Sequence, residues 1–559
     1  MADRGSPGIR RPAIDLERRT QLALNMTIEA VHQAMADDPP ESAPAVGTST
    51  PKAVDFLTSV SRLTLAKVIG EAALLLRAVA PIMDSNAGIR NSAEALIELA
   101  EPRARGMPLL TALCLEPAFA LDRAYAHLIF RDLGYPDAAA DRMLAAALSD
   151  NDPAVPERLS TFELEQDWLR GMWLGSSDGI QVPERSCLAQ PLDALELSSN
   201  DIYSFTHSIL YTTDVGRRPT HIPRPARDIT ADAEIALAAA LDGDNYDLAA
   251  EALWIWPMLH EKWSASAILG LEVLIATQDQ FGFLPGPGYD PEIPPSLSRD
   301  ERHHYVLRTS YHTTLVMGIL CAMSLRSRSH CSPHTNDHHE HLDATAKLLT
   351  QLLDDRPIPR WQRTTDRLPD PDKIGLAPFI LTVALRRARS ACNFGRVREL
   401  LAIAYRSDLL DIPTCRQAAG LLRRGTELAQ LMAEGARTNH AHQPTVLTSH
   451  ASDSTMEEIM HAHWGTFTLA TPHRNALKLI DTLMRQDRAF PYDIFDAGKD
   501  GDFQIIGRAK ARDLITTVVC VPLAAHSTWV SVIVSGPDGS YCELERSSLR
   551  QKIIDLNLN

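Results

Sequence analysis

Tyr203, His207, Tyr211 and Asp214 follow one another at steps of four, four and three residues. At 3.6 residues per turn such steps place all four along one helical face. An imidazole, a carboxylate and two phenols on one stripe are residue types able to line a reactive cavity. His207 would be a general base or a metal ligand, oriented by the partner of its second nitrogen. Asp214 lies about 10 Å further along the axis, so sharing one ion with His207 requires the helix to loosen near Gly216. A second stretch supplies His312, with Arg308 one turn earlier and Tyr311 beside it. His207, Asp214 and His312 together make a two-His-one-carboxylate set suited to Zn or non-haem Fe, and they are the expected catalytic and metal-binding residues. Tyr203, Tyr211, Arg308 and Tyr311 are expected to bind substrate. A plainer reading stays open beside this one: buried His and Tyr, satisfied by neighbours, fix helix register without any chemistry.

Other motifs carry less. GSSDG around Ser177 has the Gly-x-Ser-x-Gly pattern, but a nucleophile elbow needs a strand before it and a helix after it, and a Trp-rich helical segment precedes this one. DAGKDGDF starts like a calcium loop, yet Gly498 and Gly507 stand where oxygen ligands are required, so a turn is expected. The run HCSPHTNDHHEHLD, from His330 to Asp343, is rich enough in His to chelate an ion, though its spacing fits no closed structural site. The eight cysteines include no Cys-x-x-Cys pair, which removes zinc-ribbon and thioredoxin-like readings and suits free thiols in a reducing compartment.

The elements that must position these residues are helical. Of the 559 residues 45% are hydrophobic and 23% charged, the composition of a globular chain able to bury a large core. Segments such as FELEQDWLRGMWL, NDIYSFTHSILYTTDVG, DITADAEIALAAAL, NYDLAAEALWIWPML, SASAILGLEVLIATQ and YVLRTSYHTTLVMGILCAMSL each read as a helix. Asn200 or Asp201 is expected to open the second of these and Gly216 to close it. The fold class is therefore mainly α, an α/α barrel or toroid of helical hairpins with a small C-terminal α+β appendage. ITTVVCVPL and TWVSVIVS are β-branched runs, and GPDG after the second is a hairpin signal. The expected division is 1–51 as a disordered or weakly helical N-terminal segment, 52–435 as the toroid, 436–464 as a linker and 465–559 as the α+β domain.

With 55 Lys+Arg against 71 Asp+Glu the net charge is −16. That argues against nucleic acid and anionic membranes as partners, because both need clustered cations. The Arg217, Arg218, Arg224 and Arg227 cluster reads as a solvated loop. No apolar leader or long apolar span is present, so a cytoplasmic location is expected.

LIATQDQFGF resembles the glutamine-aromatic repeat of terpene-cyclase and prenyltransferase toroids, through Leu274, Gln278, Gly282 and Phe283, with Phe in place of the usual Trp. In those toroids the Gln caps a helix end and the ring packs on it, so the motif is architectural. More widely, FTHSILYTTDVG followed by SYHTTLVMG resembles an actinobacterial family of toroid-like proteins, over roughly residues 55–430, to which no secure activity attaches. Terpene-cyclase chemistry itself is not implied: the chain lacks an Asp-x-Asp-Asp acid in this region, and a lanthionine-cyclase Cys-His zinc pair is also missing.

Two functions follow as expectations. The first is an enzyme of bacterial specialised metabolism acting on a small or peptidic substrate in a central cavity, with a divalent metal such as Zn or Fe as the conceivable cofactor. The second is a non-catalytic scaffold whose C-terminal β-rich module binds a peptide or protein partner, with an edge strand near Trp529–Ser535 as the docking element.

Overall fold

A computed structural model of the chain describes residues 15–37, 63–149, 158–176, 180–218, 222–327, 348, 358–368 and 373–440, together with the strand segments 466–472, 493–496, 505–511, 514–524 and 527–535. The chain divides into two units, Met1–Gly420 and Leu421–Asn559. Ser177, most of the DAGKDGDF turn, the His330–Asp343 run and the GPDG hairpin lie outside the described residues.

The first unit is helical throughout its described residues. It begins with α1 (Leu16–Asp37), α2 (Leu65–Val79), α3 (Ala87–Ala100), α4 (Met107–Leu115), α5 (Ala120–Arg123), α6 (Tyr125–Asp132), α7 (Ala138–Leu148), α8 (Ser160–Leu174) and α9 (Ser199–Thr213). It continues with α10 (Ala226–Asp242), α11 (Tyr246–Leu253), α12 (Ile255–Leu259), α13 (Ala265–Phe281), α14 (Arg299–Ser327), α15 (Arg360–Arg367), α16 (Ala377–Ser390), α17 (Phe394–Arg406) and α18 (Pro413–His440). Consecutive partners can be followed through the packing: α2 touches α6, α6 touches α8, α8 touches α9, α9 touches α11, α11 touches α14, and α14 touches α2. A second set packs against these, with α1 against α14, α2 and α3, and α10 and α13 against α11.

The C-terminal half of helix α14 is deeply enclosed. Every residue from Thr313 to Met323 is buried, so this stretch has no solvent face, as expected of a helix apolar all round. Small residues on α1 (Ala23, Thr27, Ala30 and Ala34) are buried and recur at three- to four-residue steps. They let α1 approach α14 so closely that a Cβ added at Gly318 would lie 2.2 Å from the Ala23 Cβ. Arg19 of α1, itself buried, donates to Gln278 Oε1 (2.7 Å) and to Asp279 (2.7 Å) at the end of α13. Within the N-terminal segment expected to be disordered or weakly helical, Leu16–Asp37 is a 22-residue helix. Its Ala, Leu and Thr positions form a buried face, and its arginine is locked between elements.

The Gln278 region differs from the toroid repeat it resembles. Gly282 ends α13 in the left-handed region (φ 82°), with its N–H bonded to the Gln278 carbonyl. The Gln278 side chain, however, serves Arg19 of α1, and the Phe283 ring packs on Phe281 and Tyr289. Helix α9 starts at Ser198, just ahead of the expected cap. Ser198 and Asp201 bond each other's backbone N–H in a capping box.

In the second unit the described strands are β1 (Thr466–Pro472), β2 (Asp493–Asp496), β3 (Ile505–Ala511), β4 (Leu514–Ala524) and β5 (Ser527–Ser535), paired antiparallel in the order β1-β5-β4-β3-β2. Val518 faces Val532 across the β4–β5 pair, as β-branched cross-strand partners do. Strand β5 has a neighbour on both sides, so the expected docking edge near Trp529–Ser535 is corrected: its backbone groups are spent on β1 and β4. Helix α18 runs on to His440, past the expected start of a linker at 436.

Substituting Gly318 by Val should wedge α1 off α14. We expect a loss of about 1–3 kcal/mol in urea unfolding and faster proteolytic cleavage within α1. Gly288→Ala, with open space at the new Cβ, should change neither.

Candidate functional site

Several helices of the first unit turn polar side chains into one cavity of about 500 Å³. Glu71 comes from α2, Glu165 from α8, and Tyr203, His207 and Tyr211 from α9. Asp247 and Glu251 come from α11, and His312 from α14. Tyr125 and Trp254 add aromatic wall. A helix can present such residues only if its remaining faces are satisfied elsewhere. Ile202, Phe205 and Ile209 bury the back of α9, leaving Tyr203, His207 and Tyr211 for the hollow.

His312 holds the centre. Its Nδ1 lies 3.1 Å from Glu71 Oε1 and its Nε2 lies 3.5 Å from Asp247 Oδ2. Its side chain retains 37% accessible surface because the ring faces the cavity. Burial alone would lower its pKa, but the carboxylates of Asp247 and Glu71 outweigh that and raise it to about 9. Glu71 shows the reverse balance: burial pushes it up, and His312, Lys67 and Tyr311 together bring it below the usual carboxylate range. The Tyr311 hydroxyl donates to Glu71 Oε2 at 2.6 Å.

Two other carboxyls titrate far from their ordinary range. Burial, with the charge of Asp247 added, pushes Glu251 up to about 8, against the opposing hydrogen bond from Thr206 Oγ1 (2.7 Å). Burial pushes Glu165 up to about 7, against the hydroxyl of Tyr211, which donates to its Oε1 at 3.0 Å. His207 goes the other way. Burial drops it to about 3, so the ring is neutral at any physiological pH. Its Nδ1 bonds the Tyr203 carbonyl (3.1 Å), which assigns the proton to Nδ1 and leaves Nε2 as a lone-pair acceptor. Tyr203 stacks on that ring at 3.8 Å, and burial raises its phenol to about 12.

Of the residues expected from the sequence, His207, His312, Tyr203 and Tyr211 line this one cavity. Tyr311 sits behind it, bonded to Glu71. Arg308 does not line it; the guanidinium pairs with Asp37 of α1 at 3.0 Å. Asp214 does not line it either, so the set His207, Asp214 and His312 is not brought together. Asp214 is the C-cap of α9, in the left-handed region (φ 53°, ψ 55°), which turns its carboxylate away from the stripe. It is buried against Arg77, whose Nε and Nη2 lie 2.7 and 2.6 Å from Oδ1, and it accepts from Trp168 Nε1 at 2.9 Å. Val215 follows at φ 56°, a strained conformation for a β-branched residue, held by the Arg326 bond to its carbonyl (2.8 Å).

The group that is brought together is Asp247, Glu251 and His312, with donor atoms all within 4.8 Å of one another. Sequence reasoning missed Asp247, Glu251, Glu71 and Glu165. The signal was present in part. Asp247 and Glu251 stand four residues apart inside NYDLAAEALW, and Glu71 interrupts VIGEAALLL, each a carboxylate on an otherwise apolar helix.

The profile of a family described as a domain of unknown function (DUF6895) matches residues 49–322, a span that contains every residue lining the cavity. No curated protein and no solved structure matches the chain. Among the described residues, no helix is long and apolar enough to cross a membrane.

Because Asp214 neutralises a fully buried guanidinium, Asp214→Ala should cost about 3–5 kcal/mol in chemical denaturation. A loss below 1 kcal/mol would contradict the buried-pair reading of this residue.

Proposed function

We propose that this protein is an enzyme performing proton transfer on a small molecule held in the cavity between α2, α8, α9, α11 and α14. The observation that carries the reading is a hollow of about 500 Å³ holding a carboxyl group, Glu165, that burial has moved to near-neutral pKa. Efficient general acids and bases titrate near the working pH, and shifts of this kind concentrate at functional sites because packing alone gains nothing from them. The volume lies within the range of small-molecule sites, which favours a small ligand over an extended peptide.

The residues divide the work by their charge. Glu165, half protonated near neutrality, exchanges a proton with the substrate, and the Tyr211 hydroxyl fixes its orientation. His207 is too weak a base for that task and instead accepts a hydrogen bond through Nε2. The aromatic rings of Tyr203, Tyr125 and Trp254 enclose the apolar part of the ligand. We further propose that the first unit is an α/α toroid. The unbroken run of neighbours α2, α6, α8, α9, α11, α14 and back to α2, with α1, α10 and α13 packed against it, supports that arrangement.

The purified chain should deplete at least one component of a small-metabolite mixture followed by mass spectrometry. Glu165→Gln should slow that depletion about 100-fold or more while ligand-induced thermal stabilisation persists, and Leu315→Trp, which fills the cavity, should abolish both. Depletion unaltered in both variants, with circular dichroism unchanged, would remove the proposal.

Glu165 also predicts a pH signature. Its folded pKa of about 7 stands above the ordinary value of 4.5, so its contribution to stability is fully present below pH 4.5 and is lost as pH rises to about 7. At pH 8 the Glu165→Gln chain should therefore be more stable than the parent, by roughly 1–3 kcal/mol in urea unfolding. The advantage should vanish at pH 4.5.

A further inference from the structure

We infer that Asp247, Glu251 and His312 are the ligands of a divalent first-row transition ion, with Glu71 orienting the histidine from behind. The inference stands whether or not the cavity turns over a substrate.

Three observations carry it independently of the cluster's charge. The first is the orientation of His312. Its Nε2 points into the group, 3.5 Å from Asp247 Oδ2, while its Nδ1, itself without a hydrogen bond in good geometry, has the Glu71 Oε1 oxygen 3.1 Å away. A metal-bound imidazole characteristically offers one nitrogen to the ion and donates the other N–H to a carboxylate, which fixes the tautomer and the ring plane. Glu71 is anchored in turn by the Tyr311 hydroxyl, and Glu251 by the Thr206 hydroxyl. These are outer contacts that hold carboxylates at a fixed angle without occupying the side needed by an ion.

The second observation is an unsatisfied oxygen. Asp247 Oδ1 is shielded from solvent and has no hydrogen-bond partner. Buried carboxylate oxygens are almost always paired, because an unpaired one costs the full desolvation of the group. A cation at the centre of the three side chains would satisfy it.

The third is geometry. Asp247 and Glu251 sit one turn apart on α11 and so project from the same face, opposite His312 on α14. All three donor atoms lie within 4.8 Å of one another. Donors at 2.0–2.2 Å from a tetrahedral ion lie about 3.3–3.6 Å apart, so closure draws the farthest donors together by about 1.2–1.5 Å through side-chain torsions. One nitrogen and two oxygens suit Zn²⁺ or Mn²⁺. Three protein ligands leave coordination positions open toward the hollow, the arrangement of sites where a metal meets water or a ligand. His207 shares the wall but is not among the grouped donors.

The test uses the untagged full chain with the His330–His341 run replaced by a short Gly/Ser linker, so that loop chelation cannot mimic a site. After chelator treatment, Zn²⁺ titrated by calorimetry and Mn²⁺ followed by electron paramagnetic resonance should each report one ion per chain. Asp247→Asn and the conservative Glu251→Gln should each weaken Zn²⁺ at least 100-fold, with helical circular dichroism retained. Glu71→Gln should weaken it about 10- to 100-fold while the stoichiometry stays at one. Absence of binding up to 1 mM of either ion, or equal affinity in the Asp247→Asn chain, would overturn the assignment. Either result would leave the Glu165 experiments unaffected, so the two proposals fail separately.

Discussion

Arg77 is a fully buried cation in the middle of a helical core, and the architecture around the site depends on how it is neutralised. Removing a guanidinium from water costs several kcal/mol unless carboxylates accompany it. Here Asp214 takes Nε and Nη2, Asp132 takes Nη1 at 2.8 Å, and the Trp168 ring lies 5.5 Å from the guanidinium carbon. One side chain thereby joins α2, α6, α8 and the end of α9. The three left-handed residues Asp214, Val215 and Gly216 follow from the same constraint: the chain must leave the helix sharply to deliver a carboxylate backward onto Arg77. Gly216 is required in that turn, since a Cβ there would meet Arg326 Nη2 at 2.6 Å and Met258 Cα at 2.9 Å.

With α9 pinned at that end and capped by Ser198 at the other, its polar stripe is held against the cavity. The hollow then collects more acid than base. Glu71, Asp122, Glu165, Asp247 and Glu251 share it with Lys67 and one charged imidazole, while His207 contributes none. Such a surplus opposes folding, because each buried carboxyl must either take up a proton or find a counter-ion. The tension is concentrated at the cavity, where Glu165 and Glu251 are pushed to about 7 and about 8. Elsewhere in the first unit, buried charges such as Arg19 and Asp232 are matched by hydrogen-bonded partners. A hollow that gathers buried carboxyls in this way has a site to which stability has been conceded.

Helical character, the extents of α8, α9, α13 and α14, and the alignment of Tyr203, His207 and Tyr211 were legible from periodicity, because side-chain spacing in a helix depends only on its own turn. That His207 and His312 line one hollow could be expected from two polar stripes in apolar surroundings. Asp214 was legible as a polar group but not as a structural one. Helical spacing extends the stripe through it, whereas its actual direction depends on Arg77, 137 residues away in sequence. Arg308 was misplaced for the same reason, since its partner Asp37 lies on α1. Glu71, Glu165, Asp247 and Glu251 looked like ordinary solvated acids in Ala- and Leu-rich helices.

What the sequence by itself determined is therefore local: which segments coil, which faces are apolar, where helices are capped, and which runs favour strands. What only the tertiary structure decided is pairing: which carboxylate neutralises which cation, which acids are left facing one another, and that β5 lies inside its sheet and not at its edge. The physical reason is range. Periodicity and capping act within a few residues, whereas the energy of a buried charge is set by whatever packing brings within a few ångströms of it.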